Sequence, residues 1–173
     1  MNQTIDTILK RRSIRSYQQK QISDEELDSV LQAALYAPSA MNQQSGKFVA
    51  VQNKDIMQKL IQLGKKAVNN ENSPFYGAPT VILVFAKKAN IAPICDASLA
   101  IENMFLAAAS LNLASCWIHC VNAVFRTDEG KKLQLDMGIS DEHMIVGSCI
   151  LGYAKDKIPE ALPRKKDLVI KIK

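Results

Sequence analysis

The chain has 173 residues, 47% of them hydrophobic and 23% charged, with a net charge of +5. That length suits one core of ordinary size and is short for two independent ones, and the composition is that of a globular protein rather than of a disordered or membrane-embedded chain. The apolar runs Thr80–Ala86 and Ile145–Leu151 are strand-sized, well short of the ~18 residues a membrane helix needs, and no secretory apolar segment follows Met1; the expectation is a single cytoplasmic domain over 1–173 with no membrane partner.

In chain order, Thr4 is placed to cap a short helix that carries Ile5, Ile8 and Leu9 toward a basic cluster, Lys10–Arg15. Ser23, with Glu26 in the matching position, has the pattern of a capping box, and Leu27, Val30, Leu31, Ala34 and Leu35 follow at helical spacing. Pro38 disfavours helical geometry in the residue before it, so this helix should stop at Ala37. Lys47–Gln52 is a short strand, and Asp55–Asn69 an amphipathic helix through Ile56, Leu60, Ile61 and Val68. A loop rich in Asn, Pro and Gly then hands over at Pro79 to the strand Thr80–Ala86.

The segment Asp96–Leu113 has no Gly or Pro and is apolar round nearly its whole circumference, which predicts a helix buried on several sides, in a core or along a subunit interface. A strand at Ser115–His119, a helix at Asp128–Met137, a strand at Met144–Gly152 and a polar C-terminal arm with a final alternating stretch, Leu168–Ile172, complete the chain.

Conventional catalytic machinery is sparse. The two histidines, His119 and His143, belong to no Gly-x-Ser-x-Gly or Cys/His arrangement. Cys116-Trp117-Ile118-His119-Cys120 lacks a Cys-x-x-Cys pair and a second ligand cluster, so no metal is expected. The cysteines lie in or beside apolar stretches, as buried thiols of a reduced compartment do. An enzyme of this composition would take its reactive atoms from a cofactor.

The basic residues fall mainly in two clusters, Lys10–Arg15 and Arg164–Lys166. They lack the aromatic interleaving or helix-turn-helix of a nucleic-acid reader, so no nucleic-acid partner is expected. Either they form a solvated basic surface or they meet around one small polyanion; guanidinium forks interleaved with hydroxyls, as in Arg11-Arg12-Ser13-Ile14-Arg15-Ser16-Tyr17, suit phosphate.

That last segment resembles the N-terminal Arg-x-Ser-x-Arg/Lys-x-Phe/Tyr signature of FMN-dependent nitroreductases. Ala37-Pro38-Ser39-Ala40-Met41-Asn42-Gln43-Gln44 resembles the family's Ala-Pro-Ser-Ser/Ala-x-Asn-x-Gln loop. Asp96–Ala108, continuing through Leu113-Ala114-Ser115-Cys116-Trp117-Ile118, resembles its central helix and following strand, and Gly152-Tyr153 and Pro163-Arg164-Lys165-Lys166 its terminal elements. The likeness covers nearly the whole chain, and four motifs in order make it specific.

The resemblance implies an α+β fold, with a mainly antiparallel central sheet flanked by helices, in an intertwined homodimer. It implies that Arg11, Arg12, Ser13 and Arg15 hold the phosphate, ribityl chain and pyrimidine edge of FMN, with Arg164 closing on the phosphate. Pro38, Ser39, Ala40 and Asn42 would face the flavin of the partner subunit, and the backbone of His119 and Cys120 the reactive edge of the ring. No catalytic side chain beyond the flavin is implied. The expected activity is ping-pong hydride transfer from NADH or NADPH to a nitroaromatic, quinone or other conjugated acceptor; the alternative is a flavin-binding storage or sensor protein without significant turnover.

Departures from the pattern are Ser45-Gly46 in place of Pro-Trp, and Asn112, Ala114 and Cys120 where glycine is common. The connection before Asp96 is also short, without the helical excursion that covers the flavin in larger members. The site is expected to be more open, or roofed by Phe75, Tyr76 and the partner chain.

Overall fold

The computed structural model describes residues 2–173. Helices α1 (Gln3–Lys10), α2 (Asp24–Leu35), α3 (Lys54–Val68), α4 (Pro93–Ser110), α5 (Val121–Val124) and α6 (Asp128–Asp136) surround strands β1 (Gly46–Val51), β2 (Thr80–Lys87), β3 (Ala114–Ile118) and β4 (His143–Gly152). The strands form one sheet in the order β1-β2-β4-β3, and each neighbouring pair is antiparallel. This is the expected α+β class.

β2 sets the layering. Val81, Leu83 and Phe85 point into one core with α3 and α5, while Ile82, Val84 and Ala86 point into the other with α2 and α4. Successive side chains on a strand leave opposite faces, so an unbroken apolar run needs a cover on each side. α4 answers on one side: Ala97, Ala100, Ile101, Met104, Phe105 and Ala108 are buried, as its apolar circumference foretold. A register shift falls between Val84 and Phe85, and Gly147, the partner of Val84, leaves room for the Trp117 indole against β4. A Cβ at that glycine would meet the indole at 2.5 Å.

Local chemistry ends the helices where the sequence indicates, with small corrections. The Ser23 hydroxyl accepts from the Glu26 N–H at 3.2 Å and the Glu26 carboxylate from the Ser23 N–H at 2.8 Å, which completes the capping box. The same carboxylate takes the Tyr153 hydroxyl at 2.7 Å, tying α2 to the end of β4. α1 is capped by Asn2 and not Thr4, because the Asn2 carboxamide accepts the Ile5 N–H at 3.0 Å. α2 stops at Leu35, two residues before the expected Ala37. Leu168–Ile172 forms no strand among the described residues, and Ile170 and Ile172 are 87% and 96% exposed.

The Glu26 carboxyl is held below its ordinary range, first by the Ser23 N–H and then by the Tyr153 hydroxyl. A carboxyl of lowered folded value stabilises above about pH 4–5, and this contribution is lost as pH falls through that value. Denaturant unfolding at pH 7 is expected to show a loss of about 1 kcal/mol in Ser23→Ala. Glu26→Gln should also be weaker than wild type at pH 7, with the gap closing in acid; a gap that widened in acid would contradict the sign.

Candidate cofactor site

The basic segment is not a free tail. After α1 the chain crosses the edge of β3: Ile14 N–H donates to Ser115 O at 3.0 Å, and Ser13 bridges Ser115 in the parallel sense. Tyr17 closes the strap, donating its hydroxyl to Ile14 O at 2.7 Å, and Gln18 N–H reaches Tyr153 O at 2.9 Å. Ile14 and Tyr17 are buried, whereas Ser13 and Arg15 face outward and Arg11 and Arg12 are half-buried. The two apolar anchors thus aim the cationic side chains, and rigid presentation lowers the entropic cost of gripping an anion.

Around these cations the groups are incompletely matched. Arg11 is 3.5 Å from the Glu102 carboxylate and lies over the Phe105 ring. Arg12 donates to Leu9 O at 2.8 Å, yet its Nε is buried with no partner among the described residues. An unpaired buried N–H costs about 1–3 kcal/mol unless something absent from the chain satisfies it, so this donor suits an anionic group. Beneath the strap, burial pushes the Cys116 thiol up, against the opposing pull of Arg15, the Ser13 hydroxyl and Arg11.

Arg15, His119 and Cys120 share one cleft of about 420 Å³ with Asn70, Asn72 and Ser73. The turn after β3 is fixed by Asn122 N–H to His119 O and Ala123 N–H to Cys120 O, each 3.0 Å. His119 is exposed beside the Asn122 carboxamide, and burial raises the Cys120 thiol. In the sequence the Asn70–Ser73 polar groups read only as loop, and the signal that marks them is the density of carboxamides. Asn72 N–H donates to the Asn70 side chain at 2.8 Å and Phe75, fully buried, nails the loop down. Phe75 therefore roofs nothing, contrary to expectation, while Tyr76 is exposed on the cleft wall with Arg15 over its ring.

Pro38, Ser39 and Asn42 line a different cleft, of about 610 Å³, between the end of α2, the start of β1 and the first turn of α4. Ala40 is tied there by its N–H to the buried Asp96 carboxylate at 3.0 Å. Met41, Asn42 and Gln44 all have positive φ, a conformation that costs non-glycine residues free energy and recurs at ligand clamps. Met41 is 83% exposed at the tip.

Arg11 and Arg12 border a third hollow, near the other end of α4 at Ser110. The helix between Asp96 and Ser110 spans roughly 20 Å at about 1.5 Å per residue. Arg164 enters none of these clefts; it is exposed on the arm and, among the described residues, donates only to Leu162 O, at 3.4 Å. One chain thus gathers Arg15, His119 and Cys120 beside the strap, and leaves Pro38–Asn42 and Arg164 elsewhere. Of the departures, Asn112 keeps glycine's geometry at φ 58, and Ser45 is buried with its hydroxyl unpartnered.

Residues 8–153 match the model of the nitroreductase family. A protein of Archaeoglobus fulgidus named "Putative NADH dehydrogenase/NAD(P)H nitroreductase" is 31% identical over 160 residues, which is 91% of this chain and 88% of that one. A protein of the same name from Methanothermobacter thermautotrophicus is 32% identical over 95% of this chain and 81% of its own. The crystal structure of a nitroreductase with bound FMN from Bacteroides fragilis superposes with a TM-score of 0.93 at 29% identity, over all of both chains.

The strap makes Cys116 a reporter of its own docking. Brief alkylation of the folded protein, read by peptide mass spectrometry, is expected to leave Cys116 and Cys149 unmodified and to modify exposed Cys95, with half-buried Cys120 slower. Rapid modification of Cys116 would mean that the strap leaves β3 in solution.

Proposed function

This chain belongs to the nitroreductase family, and on that premise we propose that it is an FMN-dependent NAD(P)H oxidoreductase whose acceptors are nitroaromatics, quinones or other conjugated molecules, used in alternation with the nicotinamide donor. The observation that carries the reading is the docked basic strap with its unsatisfied Arg12 Nε, next to a cleft lined by Arg15, carboxamides and the His119–Cys120 turn. The donor set fits a phosphate ester joined to a polar heterocycle. FMN supplies the redox chemistry when bound, accepting a hydride equivalent and passing it on.

The chain's own residues do the rest by position and charge. Arg11, Arg12 and Ser13 hold the phosphate and ribityl chain, since guanidinium forks match phosphate oxygens bidentately. Arg15 carries a fixed cation to the pyrimidine edge and favours the more negative state of whatever lies there. Backbone N–H groups at His119 and Cys120 orient the ring edge without titrating. Asn70, Asn72 and Ser73 offer hydrogen bonds to the heterocycle, and Tyr76 gives the cleft an aromatic wall. No side chain of the cleft is assigned a proton-transfer role.

The separation of Pro38–Asn42 from Arg15 and His119 within one chain is the reason to infer a homodimer. A second copy presents its strained loop, tipped by exposed Met41, to the cleft, and its arm brings Arg164 to the phosphate. Exposed Leu35 and Tyr36 beside that loop, and Leu168–Ile172 on the arm, are apolar surface that such an interface would cover.

The purified protein is expected to show oxidised-flavin absorbance and to oxidise NADH or NADPH steadily with a quinone; flavin binding without turnover would favour the storage or sensor reading. In Arg11→Ala and Arg12→Ala, FMN should bind about tenfold to a hundredfold more weakly with riboflavin little changed, the span of a lost charge-assisted hydrogen bond of about 1.5–3 kcal/mol. Equal losses for both flavins would remove the phosphate assignment. Sedimentation should find a dimer at micromolar concentration, and a folded, flavin-loaded monomer would defeat the shared-site reading.

A further inference from the structure

A separate hollow of about 810 Å³ opens where α5, α6 and the start of β4 meet, and His119 belongs both to its wall and to that of the Arg15 cleft. Its floor is apolar, formed by Phe125, Met144 and Ile145. Its rim is cationic: Lys88 follows β2, Arg126 follows α5 and Lys131 lies on α6, against Asp141 as the single carboxylate of the lining. Lys131 is engaged by Asp128 at 3.3 Å, and the Lys88 ammonium donates to Asp141 O. Arg126 is exposed and makes no ion pair among the described residues. On the inner wall, Asn122 donates to Val146 O at 3.2 Å and leaves its Oδ1 buried without a partner.

An apolar floor, a free guanidinium on the rim and one unsatisfied acceptor describe a site for a flat heterocycle that carries phosphate and a hydroxyl or amino donor. Resting on the flavoenzyme reading above, we propose that this hollow takes the phosphate-bearing adenosine part of the nicotinamide dinucleotide, with Arg126 as its phosphate ligand. The shared wall at His119 is what makes one extended molecule the occupant: its adenosine end lies in this hollow while its nicotinamide reaches the Arg15 cleft. Lys88 and Lys131 keep the local potential positive without closing on the phosphate themselves. Asn122 meets a ribose hydroxyl or the adenine amino group. An anionic acceptor shares this chemistry, and the assay below separates the two.

The probes are ADP and adenosine, titrated calorimetrically into the FMN-loaded protein. ADP is expected to bind about tenfold or more tightly than adenosine, Arg126→Gln to erase that advantage, and Arg126→Lys to retain part of it. In steady state, Arg126→Gln should raise KM for the nicotinamide donor about tenfold while KM for a neutral quinone moves less than about twofold. Because Arg126 is exposed and unpaired, both variants should melt with the wild type. Unchanged ADP binding and donor KM in Arg126→Gln would overturn the proposal, as would a rise confined to KM for an anionic quinone. Absence of flavin absorbance from the wild-type protein would defeat the flavoenzyme reading instead, and ADP binding to that protein would still report on the hollow.

Discussion

A strand with no polar face cannot stand at a surface, and β2 is such a strand. Residues Val81 to Ala86 are all buried, alternately into two cores. Burial of an aliphatic or aromatic side chain is worth about 1.5–3 kcal/mol, so leaving either face of β2 in water would cost an amount comparable with the whole stability of a domain. Helices must therefore cover both sides of the sheet. α4 and α2 take one side, and α3, α5 and α6 the other, because those are the elements with an apolar stripe to bury.

The same constraint drives everything polar to the rims. The Arg11–Tyr17 strap runs along the open edge of β3, where its backbone completes the hydrogen bonding of an edge strand and its cations stay at the surface. The His119–Cys120 turn and the Asn70–Ser73 loop emerge at the rim of one layer. The Pro38–Asn42 loop emerges at the rim of the other, held by Asp96 at the start of α4. A sheet of four strands stands between two groups of residues that the family resemblance assigns to one flavin, and the proposed homodimer would reunite them.

Charge is distributed in keeping with this arrangement. Arg11 is paired with Glu102 at 3.5 Å and Arg12 donates only to carbonyl oxygens among the described residues, so the strap keeps a net positive charge. Directly beneath them Cys116 stays a neutral thiol, because desolvation outweighs the nearby positive charge. The cleft beside the strap therefore combines the Arg15 cation with carboxamide dipoles and the His119–Cys120 turn, the donor set on which the proposed cofactor assignment rests.

What the sequence by itself determined were features whose cause is local. The capping box at Ser23 and Glu26, the apolar circumference of α4 and the continuous apolar run of β2 each follow from the spacing of neighbouring residues, and each is present in the structure. The Arg-x-Ser-x-Arg pattern likewise marked the family, because a signature needs only order and distance along the chain. Tertiary structure alone decided the rest. Asn2 and not Thr4 caps α1, since a cap depends on where the backbone turns. Phe75 goes into the core and Tyr76 to the cleft, a difference between adjacent residues that no loop composition encodes. Asn70 and Asn72 come to line the same cleft as Arg15, and Leu168–Ile172 joins no strand among the described residues, because both outcomes turn on contacts between segments far apart in the chain.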